Sequence, residues 1–214
     1  MHVWNKFSEQ IESRNGSVDF PSASELLPHH TTTVIRLPEH ISKRLHDCLI
    51  TICPSDYHYP AKDMHLTLIN LDELLSAQGV IHWESLASHI SEQVSKLPQL
   101  EFQVSGINVF PTTIFAEIYD KTGLLEAYRQ AIIRGVSSYL SVEVEPGNYH
   151  ALVPGITFTN VVRFKNIPDP SLIEQLEPIR KNDFGAFRPE AFEIVETNKL
   201  LSSTGTVVHT RILC

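Results

Sequence analysis

Cysteine is scarce in this sequence. Cys48, Cys53 and Cys214 are the only three among 214 residues, and no C-x-x-C pair occurs. An odd number of cysteines without paired spacing argues against a disulfide framework, which small secreted proteins commonly use. The simplest interpretation is a cytoplasmic protein in which Cys48 fills part of a helical apolar stripe.

Long apolar runs are missing as well. No stretch approaches the roughly 18 apolar residues that a membrane-spanning helix needs, so we expect no contact with a membrane. The first twenty residues mix polar and apolar types and lack a basic segment followed by an apolar one. A secretory signal peptide is therefore not predicted.

The signature motifs of metal and cofactor sites are also absent. The sequence has eleven histidines but no H-E-x-x-H and no glycine-rich phosphate-binding loop, so we predict neither a metal nor a cofactor. The net charge of −8 excludes binding to nucleic acid through a general basic surface. Any contact with phosphate must come from a local cluster of donor groups.

A regular succession of strands and helices occurs twice in the sequence. The order strand–helix–strand–helix–strand fills about residues 31–109 and again about 113–200, and a closing strand covers 205–213. Residues 1–30 form an N-terminal extension, and residues 31–214 form one domain. The duplication predicts an α/β (α+β) protein with two pseudo-symmetric lobes, each an antiparallel sheet with outer helices, around a central cleft.

One predicted strand, MHLTLINL at residues 64–71, carries polar side chains on an otherwise apolar face. Because side chains alternate along a strand, His65 and Thr67 share a face with Ile69 and Leu71. An imidazole of near-neutral pKa can move a proton, and a hydroxyl can donate to a phosphate oxygen. The pair therefore suits chemistry on a phosphate ester, although a buried structural histidine and an ordinary strand threonine are the plainer interpretation.

The second copy holds an equivalent strand, GITF at residues 155–158. The alignment rests on spacing, because 36 residues separate His65 from Glu101 and also separate Gly155 from Ala191. In this alignment Thr157 matches Thr67, and Gly155 matches His65. If the copies pack about a two-fold axis, both strands border one cleft.

The H-x-T motif in a duplicated α/β chain resembles the 2H phosphoesterase superfamily, which includes the bacterial RNA 2′,3′-cyclic phosphodiesterases, also called 2′-5′ RNA ligases. The resemblance covers roughly residues 31–213. It implies two H-x-T motifs, with one histidine as general base, the other as general acid, and both threonines on the phosphate. Carried over, it implies these roles for His65, Thr67 and Thr157, with a nucleotide or RNA-end phosphodiester as the ligand.

The second motif departs from this pattern because glycine cannot transfer a proton. The nearest substitute in the sequence is His150, in the preceding loop, and Tyr149 beside it could donate a hydrogen bond to the substrate. Gly155 itself leaves space for a ligand to approach the backbone. Losing one proton-transfer group typically costs ~10²–10⁴-fold in rate.

Further candidate substrate-binding residues surround the first motif. Tyr57, Tyr59 and Lys62 lie in the loop before it, where aromatic rings can stack a base and a lysine can approach phosphate. Arg163 lies at the end of the second motif strand. A solvated loop with a packed tyrosine, and a solvated strand end, remain equally simple interpretations.

Three functions follow as hypotheses. The first is a hydrolase of the 2H type that acts on an RNA 2′,3′-cyclic end or a cyclic nucleotide, with impaired catalysis. The second is a non-catalytic module that binds phosphate or a nucleotide, and the third is a partner-binding protein that merely keeps the fold. A second proton carrier in the cleft favours the enzyme, whereas apolar filling favours a structural role. The sequence makes no prediction of oligomeric state.

Overall fold

The computed structural model describes residues 4, 20–22, 30–75, 80–143, 155–198, 200 and 207–213, without the side chains of Glu73 and Val207. The strands are β1 His30–Arg36, β2 Tyr57–His58, β3 His65–Asn70, β4 Phe102–Phe110, β5 Thr113–Asp120, β6 Ile156–Arg163, β7 Asp183–Phe187, β8 Ala191–Thr197 and β9 Val207–Leu213. The helices are α1 Glu39–Leu49, α2 Asp72–Leu75, α3 Trp83–Val94, α4 Leu125–Leu140 and α5 Ser171–Leu176. Short 3₁₀ turns cover Ala61–Asp63 and Glu177–Ile179.

The strands form two sheets in which every pairing of the described strands is antiparallel. Sheet A has the order β3-β1-β8-β9, and sheet B has the order β2-β6-β5-β4-β7. The predicted fold class, two lobes of antiparallel sheet with helices around a cleft, is confirmed. Each sheet contains strands from both predicted repeats, because β4 joins sheet B and β8 joins sheet A.

Sheet A buries one face under the antiparallel pair α3 and α4. Ile35, Leu66 and Phe192 lie on this face and are fully buried. They pack towards helices whose apolar stripes recur every three to four residues. Gly135 allows the helices to approach closely, because a Cβ there would lie 2.5 Å from the Ile90 Cα.

Sheet B buries one face under α1. The His58 ring, on the β2 end of this face, stacks edge-on against His46 of α1 at 5.5 Å. At the opposite edge, a Cβ on Gly185 would contact Ile41 of the same helix. Gly185, Val104 and Ile118 are cross-strand partners in a row across the sheet. Their side of the sheet is therefore the helix-covered face.

Two strands were not predicted from the sequence. The two-residue strand β2 is too short to show alternation, so its segment was predicted to be a loop. Strand β7 has Gly185 at its centre with a φ of +123°, a value unusual for a strand, and glycine weakens a strand pattern. Within the described residues, no helix is long and apolar enough to cross a membrane.

Candidate functional site

The two sheets meet along β3 and β6, where Cα atoms of the two strands approach within 8 Å. Helices cover one face of each sheet, so we take the opposite, helix-free faces as the walls of the cleft. Side chains on these two faces are therefore the candidates for binding and chemistry.

His65 and Thr67 lie on the helix-free face of sheet A. In the register of β1 and β3, His65 pairs with Arg36, and Thr67 pairs with Val34. The face that we predicted for them is partly wrong. A β-bulge at Leu68 shifts the register, so that Ile69 pairs with Thr33 on the helix-covered face.

Leu71 also does not share this face in a strand, because β3 ends at Asn70. The polar pair at the start of β3 is thus accompanied on this face by polar side chains as well as by the apolar Val34. Arg36 and Glu193 lie beside it, and their side chains are joined by a 3.1 Å ion pair.

The hydrogen bonds of His65 define its tautomer. Its Nδ1 lies 2.6 Å from the backbone carbonyl oxygen of Asp63. A carbonyl can only accept, so Nδ1 carries the proton and Nε2 of the neutral ring is the proton acceptor. Nε2 makes no hydrogen bond to any other residue of the described chain and is not sealed from solvent.

The charge state of His65 follows from its burial. Burial lowers the pKa of His65 to about 4, and the positive charge of Arg36 lowers the pKa further. The hydrogen bond to the Asp63 carbonyl acts in the opposite direction but does not offset burial. At neutral pH the ring is therefore uncharged and able to accept a proton.

This pKa gives a prediction for stability. A histidine with a pKa of about 4 when folded and 6.5 when unfolded takes up its proton more readily in the unfolded state. Its contribution is therefore complete above pH 6.5 and is lost as the pH falls towards 4, by roughly 3 kcal/mol. Urea unfolding of wild type and His65→Asn at pH 7 and pH 4 should show a larger loss in wild type, since asparagine cannot titrate. Equal losses in both proteins would contradict the buried, neutral histidine.

Thr157 lies on the helix-covered face of sheet B. It pairs with Ile118, which belongs to the row that leads to Gly185 beneath α1. Thr157 is 5% exposed, and Thr159, two residues along on the same face, is 1% exposed. The pairing therefore separates Thr157 from the face that carries His65 and Thr67, contrary to the convergence that we predicted.

The equivalent of the first motif lies three residues further along. In β6 a bulge at Val161 has the same form as the bulge at Leu68 in β3. Superimposing the two bulges matches His65 with Phe158 and Thr67 with Asn160. A shift by an odd number of residues moves the alignment to the other face of the strand. The second histidine is thus absent, and Phe158 occupies its position.

Phe158 belongs to an aromatic cluster on the helix-free face of sheet B. Its ring packs against Phe115 at 5.3 Å and Phe110 at 5.6 Å. Glu117 is its cross-strand partner, in the place that Arg36 has beside His65. The cleft is therefore asymmetric, with an imidazole and an arginine on one wall and a phenyl ring and a carboxylate on the other.

Gly155 is a turn residue rather than part of the motif. It precedes β6 with a φ of +78°, a conformation that glycine adopts readily, and a Cβ there would contact nothing within 4 Å. Its carbonyl oxygen accepts a 2.9 Å hydrogen bond from the amide of Asp120. This position suits chain reversal before β6.

The predicted tyrosines support sheet B. Tyr59 is 2% exposed, so it cannot stack a base, and its hydroxyl hydrogen-bonds to Arg163 and Asn160. Burial raises the pKa of Tyr59 to about 12. Tyr57 is half-buried and packs edge-on against Tyr59 at 5.2 Å. Asn160, which sequence reasoning missed, is thus held in place by Tyr59.

Lys62 is exposed in the 3₁₀ turn that leads directly into β3. The other predicted residues of the second motif, His150 and Tyr149, lie outside the described residues. No three histidine, cysteine, aspartate or glutamate side chains of the described chain come together as a metal site requires.

Two described residues of the N-terminal extension pack on the helix-free face of sheet B. Trp4 is 5% exposed and lies beneath the Arg180 guanidinium, 4.5 Å from its carbon. It closes one side of a cavity lined also by Asn108 and Glu117. Phe20 packs edge-on against Tyr57 at 6.0 Å.

Comparison with known proteins identifies the fold. No protein-family model and no curated protein matches the chain. Among solved structures, TT0787 of Thermus thermophilus is 17% identical, over 86% of this chain and 97% of that one, with a TM-score of 0.58. E. coli LigT complexed with ATP is 12% identical, over 87% and 98% of the two chains, with a TM-score of 0.53. A structure described as a phosphoesterase is 14% identical, over 87% and 98%, with a TM-score of 0.51.

These structures share the bilobal fold that the resemblance implied, so that expectation is confirmed for the fold. At identities of 12–17% the likeness is one of fold. The fold is therefore that of a bilobal protein with a cleft between two antiparallel sheets, as in TT0787 and LigT.

Proposed function

We propose that this protein binds a nucleotide phosphate on the helix-free face of sheet A, beside His65 and Thr67, and turns over a phosphodiester at best slowly. The observation that carries the proposal is the His65 ring. Its Nδ1 is fixed to the Asp63 carbonyl, and its Nε2 remains available as a proton acceptor. Thr67, two residues along on the same face, supplies a hydroxyl for the phosphate.

The ligand class follows from the cleft and from the structural neighbours. LigT was crystallised with ATP, with 3′-AMP and with NADP⁺, all of which carry a phosphorylated nucleoside. Arg36 beside His65 is paired with Glu193 through Nε, and its other N–H groups can donate to a phosphate. A nucleoside 2′,3′-cyclic phosphate, free or at an RNA end, is the substrate that this arrangement fits.

The chemical step is hydrolysis of the cyclic diester. Nε2 of His65 accepts a proton from water as the water oxygen bonds to phosphorus. The bond from phosphorus to one ribose oxygen breaks, and that oxygen takes a proton from solvent. Phe158 stands where the fold otherwise offers a second proton carrier, so protonation of the leaving oxygen is unassisted and the rate is low.

The second candidate function, a phosphate-binding module without catalysis, is favoured by the aromatic cluster of Phe110, Phe115 and Phe158. Calorimetric titration with a panel of 2′,3′-cyclic nucleotides, followed by product analysis, separates the two. Binding with slow, His65-dependent hydrolysis supports the first candidate, and binding without hydrolysis supports the second. Absence of binding by folded protein to every member of the panel would refute both.

The proposal predicts different roles for the two threonines. Thr67→Val should raise the Kd of a cyclic nucleotide about tenfold, because a hydrogen bond to a charged phosphate contributes about 1.5 kcal/mol or more. Thr157→Val, on the helix-covered face, should leave the Kd unchanged. Calorimetry on both variants measures the difference. If both substitutions raised the Kd equally, Thr157 would also contact the phosphate. That result would support the alignment of Gly155 with His65 instead.

A further inference from the structure

Sheet A extends the polar face of His65 towards its far edge. The cross-strand pairs lead from Thr67 through Val34 and Glu193 to Arg211. Neighbouring strands lie about 4.8 Å apart, so backbone positions at the two ends of this row differ by roughly 14 Å. One phosphate that contacts Thr67 cannot also be centred on Arg211.

A cavity of about 290 Å³ lies over this end of the sheet. Three arginines line it, together with two glutamates: Arg36, Arg188 and Arg211, with Glu190 and Glu193. The lining itself has one more arginine than glutamate, and Glu101, which pairs with Arg188 from outside the lining, balances that charge. Because Arg36 is also the cross-strand partner of His65, the cavity begins one strand away from the proposed phosphate site.

The arginines differ in the donors that they leave available. Arg36 is held by Glu193 through Nε at 3.1 Å and by the Asp63 carbonyl through Nη1 at 3.4 Å. These bonds fix the guanidinium and leave its remaining N–H groups for a ligand. Arg188 is paired with Glu101 through Nε and Nη2.

Of the three arginines that line the cavity, Arg211 is the one whose guanidinium has no partner among the described residues. It is exposed, and its side chain makes no hydrogen bond or ion pair with any other residue that the structure describes. A guanidinium of this kind suits bidentate contact with phosphate oxygens.

We infer that this arginine cavity binds a second phosphate of the ligand, so that the preferred ligand carries two phosphate groups rather than one. The inference rests on the proposed function, because the first phosphate is the one beside His65 and Thr67. The second phosphate belongs either to the adjacent nucleotide of an RNA end or to the 5′-position of a single nucleotide. Both have the same charge chemistry, and they differ in the spacing of the two phosphates.

Calorimetry on the full chain with three ligands tests the inference. The ligands are a nucleoside 2′,3′-cyclic phosphate, the same compound with a 5′-phosphate, and a dinucleotide that ends in a 2′,3′-cyclic phosphate. Wild type should bind at least one two-phosphate ligand about tenfold more tightly than the one-phosphate ligand at low salt. Which of the two gains identifies the source of the second phosphate.

Arg211→Gln should remove most of this gain and leave the Kd of the one-phosphate ligand unchanged. It should also reduce the slope of log K against log salt by about 0.7 to 0.9, the effect of one lost phosphate contact. Arg134→Gln is the matched control, since Arg134 is exposed on α4 and the charge change is the same.

The possible results separate this inference from the proposed function. Equal affinity of wild type for all three ligands, or equal effects of the two arginine substitutions, would overturn the arginine cavity alone. A gain that depends on Arg211 but not on Thr67 would support the cavity and overturn the proposed phosphate site. Absence of binding to all three ligands would overturn both.

Discussion

Phe158→His should raise the rate of hydrolysis of a 2′,3′-cyclic nucleotide by about tenfold or more. The matched bulges at Leu68 and Val161 place Phe158 in the position equivalent to His65. A histidine there can protonate the leaving oxygen, and a positioned general acid contributes ~10²–10⁴-fold. Part of that gain is lost because the surrounding side chains were not selected to orient the new ring.

Two further variants control this experiment. Gly155→His adds an imidazole at the position that the 36-residue spacing matches with His65. This variant should leave the rate of hydrolysis unchanged. Phe158→Leu removes the aromatic ring without adding a proton carrier, so it reports the effect of disturbing Phe110 and Phe115. A rate increase in Gly155→His but not in Phe158→His would contradict the alignment by bulges.

His65→Asn should lower the rate of hydrolysis by ~10²-fold or more, since it removes the proton acceptor. Asparagine can still donate to the Asp63 carbonyl, so the loop before β3 keeps its hydrogen bond. The Kd for the same nucleotide should change little, because Thr67 and Arg36 remain. The measurement is a comparison of kcat with Kd for wild type and variant.

The pH profile supplies a second readout for His65. Wild-type kcat/KM should fall only as the pH approaches about 4, where the ring becomes protonated. A bell shape with two limbs near neutral pH would require a second titrating group in the cleft. Unchanged activity in His65→Asn would show that hydrolysis takes place at another site.

The succession of elements was predictable because each helix and most strands carry their own periodicity. The helix that begins at Glu39 and the strand around His65 are examples in which the apolar spacing corresponds to a buried face. The exchange of β4 and β8 between the sheets was not predictable, because periodicity within a segment does not specify its pairing partner.

The candidate site was only half predictable. The motif of His65 and Thr67 is visible in the sequence, but its partner was misplaced by three residues because equal spacing does not guarantee equal register. One signal was available. Each motif strand breaks its alternation with two consecutive aliphatic residues, Leu68-Ile69 and Val161-Val162, where the bulge occurs. Aligning these pairs matches His65 with Phe158 directly.

The tautomer and pKa of His65 depend on groups that only the folded chain brings together. The Asp63 carbonyl is local in sequence, but Arg36 reaches His65 through the pairing of β1 with β3. Burial, the main cause of the lowered pKa, is a property of the whole packed sheet. The burial of His65 therefore cannot be read from a sequence pattern.

A crystal structure of the protein with a nucleoside 3′-phosphate tests the central claim most directly. The account predicts a phosphate oxygen within hydrogen-bond distance, about 3 Å, of Oγ1 of Thr67, and a water or a ligand hydroxyl beside the phosphate that donates to Nε2 of His65. Phe158 should face the ligand, and Thr157 should be remote from it. A phosphate bound by Thr157, or bound away from His65 altogether, would contradict the account.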